Sequence, residues 1–148
     1  MINCCGEKMK FLLLATLSFF MVLTASAQAE ELLKTTSTWE GGDIVYPVGK
    51  AEVTSVKLII AENEVTPFHC HPVPTMGYIL KGSLEVETKS GQKKLLHEGE
   101  SIVEVLRTVH RGKAIDGDVE IIVFYAGSTA MPNTVIAADD SENEYCDQ

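Results

Sequence analysis

Two of the four histidines, His69 and His71, are separated by a single residue in the stretch Thr66-Pro67-Phe68-His69-Cys70-His71-Pro72-Val73-Pro74. If that stretch is extended, side chains at i and i+2 leave the same face about 6–7 Å apart. Two imidazoles so placed can converge on one metal ion at about 2.1 Å each. On a helix the same two residues would point in divergent directions. Pro67, Pro72 and Pro74 argue against a helix, because each removes a backbone donor and biases its predecessor toward extended geometry. Local structure and chemistry therefore agree. Cys70 alternates with the histidines and should face away from anything they bind. Of the other two histidines, His110 falls in a loop expected at Arg107–His110, and His97, beside the Glu98-Gly99 turn, reads as a surface residue.

The segments that must hold these residues are short and rich in β-branched side chains. Glu52 to Ala61 reads as a strand, as do Val65 to His71, Met76 to Leu80, Ser83 to Thr88, Gln92 to His97, Ser101 to Leu106 and Val119 to Tyr125. Asp43 to Val48 reads as an edge strand interrupted by Pro47. Ser90-Gly91, Glu98-Gly99 and Asp116-Gly117 supply turns. Eight or so short strands at this spacing, with no long helical pattern, define an all-β sandwich or barrel. Trp39 is expected to cover one end of its core. Tyr125 and Met131 are candidates for the mouth of any cavity.

At 148 residues, 45% hydrophobic and 22% charged, the chain has the composition of one globular domain. Its start reads separately. Lys8-Met9-Lys10 is basic, Phe11 to about Leu23 is apolar, and Ala27-Gln28-Ala29 offers a small-residue cleavage site, the pattern of a secretory signal peptide. The apolar run is shorter than the ~20 residues a membrane span needs. Periplasmic or secreted localisation is expected, with no stable membrane anchor. Cleavage near Ala29 removes two lysines and one glutamate, which takes the formal charge from −9 to −10. So acidic a chain is not suited to nucleic acid or an anionic membrane. The expected layout is a signal peptide over 1–29, an N-terminal segment over 30–42, a barrel over 43–128, and an acidic tail over 129–148 that is mobile or only partly docked. Cys70 and Cys146 survive cleavage, and an oxidising compartment permits a bridge, but the sequence does not say whether the tail reaches Cys70.

These residues resemble a small single-domain cupin, a double-stranded β-helix or jelly-roll barrel. His69, His71 and Gly82 fit the family's first motif, with Tyr78-Ile79-Leu80-Lys81-Gly82 as its apolar strand and closing turn. Gly99 and His110 fit the second. Where the first motif carries Glu this chain has Thr75, or Met76 in a register with one more spacer residue. Asn63 replaces a leading glycine, and Val105, Arg107 and Ala114 replace second-motif residues.

The resemblance implies three imidazole ligands, His69, His71 and His110, around a divalent transition metal (Fe, Mn, Ni, Cu or Zn), without the usual carboxylate. Such a site has open positions for water, dioxygen or a chelating substrate. Thr75 could hydrogen-bond a bound water. Glu104 could instead supply a carboxylate, pointing inward if Ile102 and Leu106 do and outward if Val103 and Val105 do. The implied function is metal-dependent chemistry on a small organic molecule, dioxygenase-like, isomerase or lyase, with Glu104 or Thr75 handling a proton. A non-catalytic binding or sensing protein and a purely structural barrel are the alternatives. The resemblance also implies a homodimer, although no unmistakable apolar patch is legible on the outer faces.

Overall fold

The computed structural model describes residues 27–147, and the architecture lies within the unit Glu31–Gln148. The signal peptide expected over residues 1–29 lies, but for its last three residues, outside those described. Seven strands follow in order: β1 (Ala51–Ile60), β2 (His69–Cys70), β3 (Thr75–Thr88), β4 (Lys93–His97), β5 (Ser101–Val103), β6 (His110–Ser128) and β7 (Val135–Ile136). A 3-10 turn at Ala137–Asp139 succeeds them. The strand order is β4-β3-β6-β2-β7, with β1 also on β6 and β5 also on β3. All pairings between these strands are antiparallel. The chain forms the expected all-β double-stranded β-helix.

The two long strands make the barrel. In β3 the buried residues are Thr75, Gly77 and Ile79, then Leu84, Val86 and Thr88. The inward set thus switches from odd to even numbers. In β6 it switches the other way, from His110, Gly112 and Ala114 to Val119, Ile121 and Val123. Strand side chains alternate with period two, so an added residue in each strand is needed to keep the apolar set inside. The β3–β6 register shifts between Ile79 and Ser83. Gly82 sits there at φ 82°, and a Cβ on it would lie 2.5 Å from the Asp118 carbonyl oxygen. Opposite, Asp116 and Gly117 take φ 56° and 106°. Both strands bend at these points without ending. Met76 to Leu80 and Ser83 to Thr88, which read in sequence as two strands, are therefore one bent strand, and Val119 to Tyr125 belongs to another that already begins at His110.

The enclosed core comprises Ile60, Ile79, Leu84, Val86, Leu96, Ile102, Ala114, Val119, Ile121 and Val123, with Trp39 and Tyr125 packed against it. On the other side of β2 lies a second cluster of Cys70, Val109 and Cys146 with Phe68 and Tyr145. Cys70 and Cys146 are joined in a disulfide across 76 residues. The Asp140 carboxylate accepts the backbone N–H groups of Glu144, Tyr145 and Cys146 at 2.7–3.0 Å. The tail is thus folded back and fastened, where the sequence suggested a mobile or partly docked end. Its acidity hid the hydrogen-bonded turn around Asp140.

Other expectations are corrected. Asp43 to Val48 is not a strand: Asp43 makes one isolated bridge to Ser37, and Val45, Tyr46 and Val48 are exposed. Pro47 and the positive φ of Gly49 break any ladder there. The strand expected over Val65 to His71 is reduced to His69–Cys70, since Pro67 has no N–H to pair. Ser101 to Leu106 shortens to Ser101–Val103, and Arg107 follows at φ 63°. His110 opens β6 instead of lying in a loop. The outer face is also more apolar than the sequence suggested. Val53, Ile59, Leu80 and Phe124 are exposed on the outward side of β1, β3 and β6.

Candidate metal centre

β2 and β6 pair antiparallel with His69 opposite His110. Directly opposed residues share a face of the sheet, so the two rings meet inside the barrel with centroids 4.5 Å apart. His71 lies one residue beyond β2, where a parallel bridge to Leu106 and the Arg107 N–H to its own carbonyl keep the chain extended. Its ring is 5.0 Å from each of the other two. One ring nitrogen from each histidine lies within 4.8 Å of the others.

Hydrogen bonds on the far side of each ring fix the tautomers. Nδ1 of His69 contacts the Pro67 carbonyl at 2.8 Å, Nδ1 of His71 the Asn133 carbonyl at 3.0 Å, and Nδ1 of His110 the Thr108 carbonyl at 2.9 Å. A carbonyl oxygen only accepts, so each Nδ1 carries the proton and donates it. All three Nε2 atoms are left as lone-pair donors. Burial, chiefly, holds the His71 pKa well below the ordinary value, and repulsion from the other two rings adds to it. Burial, then the neighbouring His110, lowers His69, and burial lowers His110. The cluster is therefore neutral at physiological pH. Three neutral imidazole nitrogens facing one point are a donor set that fits a first-row divalent metal.

Glu104 points inward. Its backbone N–H is bonded to the Thr75 carbonyl at 2.9 Å, and its Oε2 lies 3.8 Å from His110 Nε2 with the side chain 11% exposed. Among the described residues neither that buried Oε2 nor the indole Nε1 of Trp39 makes a well-aligned hydrogen bond, although the indole N–H lies near enough to favour the ionised carboxyl. Burial pushes the Glu104 carboxyl up to about 7, against the opposing pull of His69 and the Trp39 indole. With His110 lowered and Glu104 raised, the 3.8 Å contact is not a standing ion pair. It is a carboxyl group with one buried oxygen, Oε2, unbonded among the described residues, beside three nitrogen lone pairs. A cation or a proton-bearing ligand would satisfy both the oxygen and the lone pairs.

Thr75 is 1% exposed, lines the same cavity, and donates its hydroxyl proton to the Val73 carbonyl at 3.0 Å. Met76, the alternative register, is half-buried and faces away from the core. Tyr125 joins the site, its ring 5.6 Å from that of His71. Thr134 Oγ1 lies between them, 3.2 Å from His71 Nδ1 and 3.4 Å from Tyr125 Oη. His97 is exposed and bonded to Ser83 Oγ at 3.0 Å, away from the cluster. Met131 does not line the cavity. Sequence reasoning missed Asn133 and Thr134. They reach His71 across 62 and 63 residues, and the polar stretch after Pro132 carries no motif that marks them.

The cavity in front of the histidines has a volume of about 290 Å³. An antiparallel double-stranded β-helix with a three-imidazole cluster lining its cavity defines the class of this molecule. Residues 56–125 match the family described as Cupin domain, and the chain carries a cupin domain over that stretch. No curated protein sequence matches it. Among solved structures it is similar to the DMSP lyase DddQ of Ruegeria pomeroyi, at 18% identity and a TM-score of 0.52, covering 60% of this chain and 45% of the lyase. It is also similar to a cupin-like protein of Thermotoga maritima, at 12% identity and a TM-score of 0.50, covering 57% of this chain and 63% of that one. The chain thus spans less than two thirds of each, and the likeness is one of fold.

Proposed function

We propose that this chain is an exported, metal-dependent enzyme acting on a small organic molecule held in the barrel, with His69, His71 and His110 as the ligands of a divalent transition metal. One observation carries the reading: three imidazoles converge within 4.8 Å while every Nδ1–H is pinned to a backbone carbonyl, leaving three Nε2 lone pairs beside the Glu104 carboxyl. When bound, the metal would act as a Lewis acid that holds and polarises an oxygen ligand.

The chain's own residues supply the rest. Glu104, with its carboxyl near neutrality, is poised to take a proton from that ligand and return it. Proton removal is shared by dioxygenase-like, isomerase and lyase chemistry, which is why those classes are grouped. Thr75 Oγ1, its proton already given to Val73, offers only acceptor capacity toward a ligand or water. Tyr125 closes the side of the site next to His71 and keeps bulk water from that ring.

Export rests on the sequence over 1–29 and is supported by the Cys70–Cys146 disulfide, a bond that persists in periplasmic or extracellular surroundings. A homodimer is supported by the exposed Val53, Ile59, Leu80 and Phe124, and light scattering should give twice the chain mass. The function itself is tested by loading purified protein with Fe, Mn, Ni, Cu or Zn and following turnover on small oxygen chelators, with Glu104→Gln as control. Turnover lost in the variant while metal is retained is the expected result. Ligand binding without turnover in the parent protein would move the chain to the binding and sensing class.

A further inference from the structure

The walls of the cavity restrict what can enter it. Leu58, Ile60, Leu84, Val86, Ile121 and Val123 make up most of its lining beyond the histidine end. Its exposed rim is also mainly apolar, with Leu58 and Ile136 at 42% and 37% exposure beside Pro67 and Thr134. Among the described residues no lysine or arginine lines it. The ionisable groups facing it are the three histidines, Glu104 and Tyr125.

We propose that the ligand of this site is an oxygen chelator with a single negative charge on its chelating head and an uncharged, apolar body lying along Leu58, Ile60 and Ile121. The proposal rests on the metal reading above and narrows it. A metal held by the three histidines would be the one cation facing the cavity, and the Glu104 carboxyl already stands 3.8 Å from His110 there, so the site has room for one anionic head. A second anionic group would lie against apolar walls with no cation, and burying an unpaired carboxylate is too costly to be tolerated. A volume of about 290 Å³ takes on the order of ten water-sized groups. That suits a compact body and excludes polymers and nucleotides from the interior. The apolar rim lets a longer body continue outward.

The test uses the mature protein loaded with cobalt(II), whose visible bands report both metal uptake and ligand binding. Alkyl hydroxamates of increasing length are compared with equal-length hydroxamates ending in a carboxylate. Affinity should rise about three- to fourfold per added methylene for the first few carbons, and the carboxylate-ended probes should bind at least tenfold more weakly than their alkyl counterparts. Leu58→Lys, at a partly exposed wall position, should erase or reverse that discrimination while the cobalt spectrum without ligand stays unchanged. Equal binding of the two probe series, or affinity independent of chain length, would overturn the proposal with the metal centre intact. Failure to take up cobalt at all would overturn the metal reading itself, and this proposal with it.

Discussion

His69 and His110 face each other across the β2–β6 ladder as a directly opposed pair, 4.5 Å between ring centroids. Because both are strand residues, their separation is set by backbone pairing and not by loop conformation. His71 lies beyond the ladder and is held from two sides, by Leu106 and the Arg107 N–H and, from the C-terminal segment, by the Asn133 carbonyl.

That dependence makes the tail part of the site. Cys70 stands between two of the histidines and is bonded to Cys146. Cys146→Ser should cost about 2–5 kcal/mol of stability, the range for removal of a native disulfide, and should weaken metal binding at least tenfold. Urea unfolding and competition with a chromophoric chelator measure the two effects. An unchanged metal affinity in the folded variant would mean that the clip does not position the histidines.

Glu104 predicts a pH effect of definite sign in metal-free protein. Its native pKa of about 7 lies above the ordinary carboxyl value of 4.5, so the native state holds its proton more tightly than the unfolded chain. Its contribution is fully favourable below about pH 4.5 and is lost as pH rises through 7. Glu104→Gln should therefore stabilise the metal-free protein by about 2–4 kcal/mol at pH 8 and change it little at pH 4.5. Thermal unfolding at the two values decides. A variant no more stable at pH 8 would contradict the buried, unpartnered carboxylate.

The histidines act in the opposite direction. Their native pKa values are lowered, so the unfolded chain takes protons first as pH falls below about 6.5. Metal-free protein should lose stability on acidification through that range, and bound metal should oppose the loss because it requires the neutral rings. The difference in melting temperature between metal-loaded and metal-free protein, followed from pH 7.5 to 5.5, tests this. Identical profiles for the two forms would contradict it.

Gly82 tests the fold. At φ 82°, with a Cβ position 2.5 Å from the Asp118 carbonyl oxygen, Gly82→Ala combines backbone strain with a clash against main chain. A loss of about 2–4 kcal/mol is expected, read by chemical denaturation. A neutral substitution would mean that β3 need not bend there.

What could be read from the sequence depended on how locally each feature is encoded. The shared face of His69 and His71 follows from their spacing and from the flanking prolines, and β1 from its β-branched run. The place of His110 came only with the family resemblance, since nothing local ties it to residue 69. The bends at Gly82 and Asp116-Gly117 look like turns because the inward phase changes there, and one sequence cannot tell a re-phased strand from two strands. The direction of Glu104 was undecidable for a related reason. Ile102, Val103 and Val105 are all buried, so neither side of the segment was marked as outer. Asn133 and Cys146 act across 62 and 76 residues, through contacts that no local pattern announces.

The central claim is that His69, His71 and His110 hold one metal ion, and elemental analysis of protein purified from its own compartment tests it most directly. About one equivalent of a first-row divalent metal per chain is predicted, falling to background in both His69→Ala and His110→Ala while the barrel remains folded by circular dichroism. Parent protein that takes up no metal, or metal retained at full stoichiometry in both variants, would contradict it.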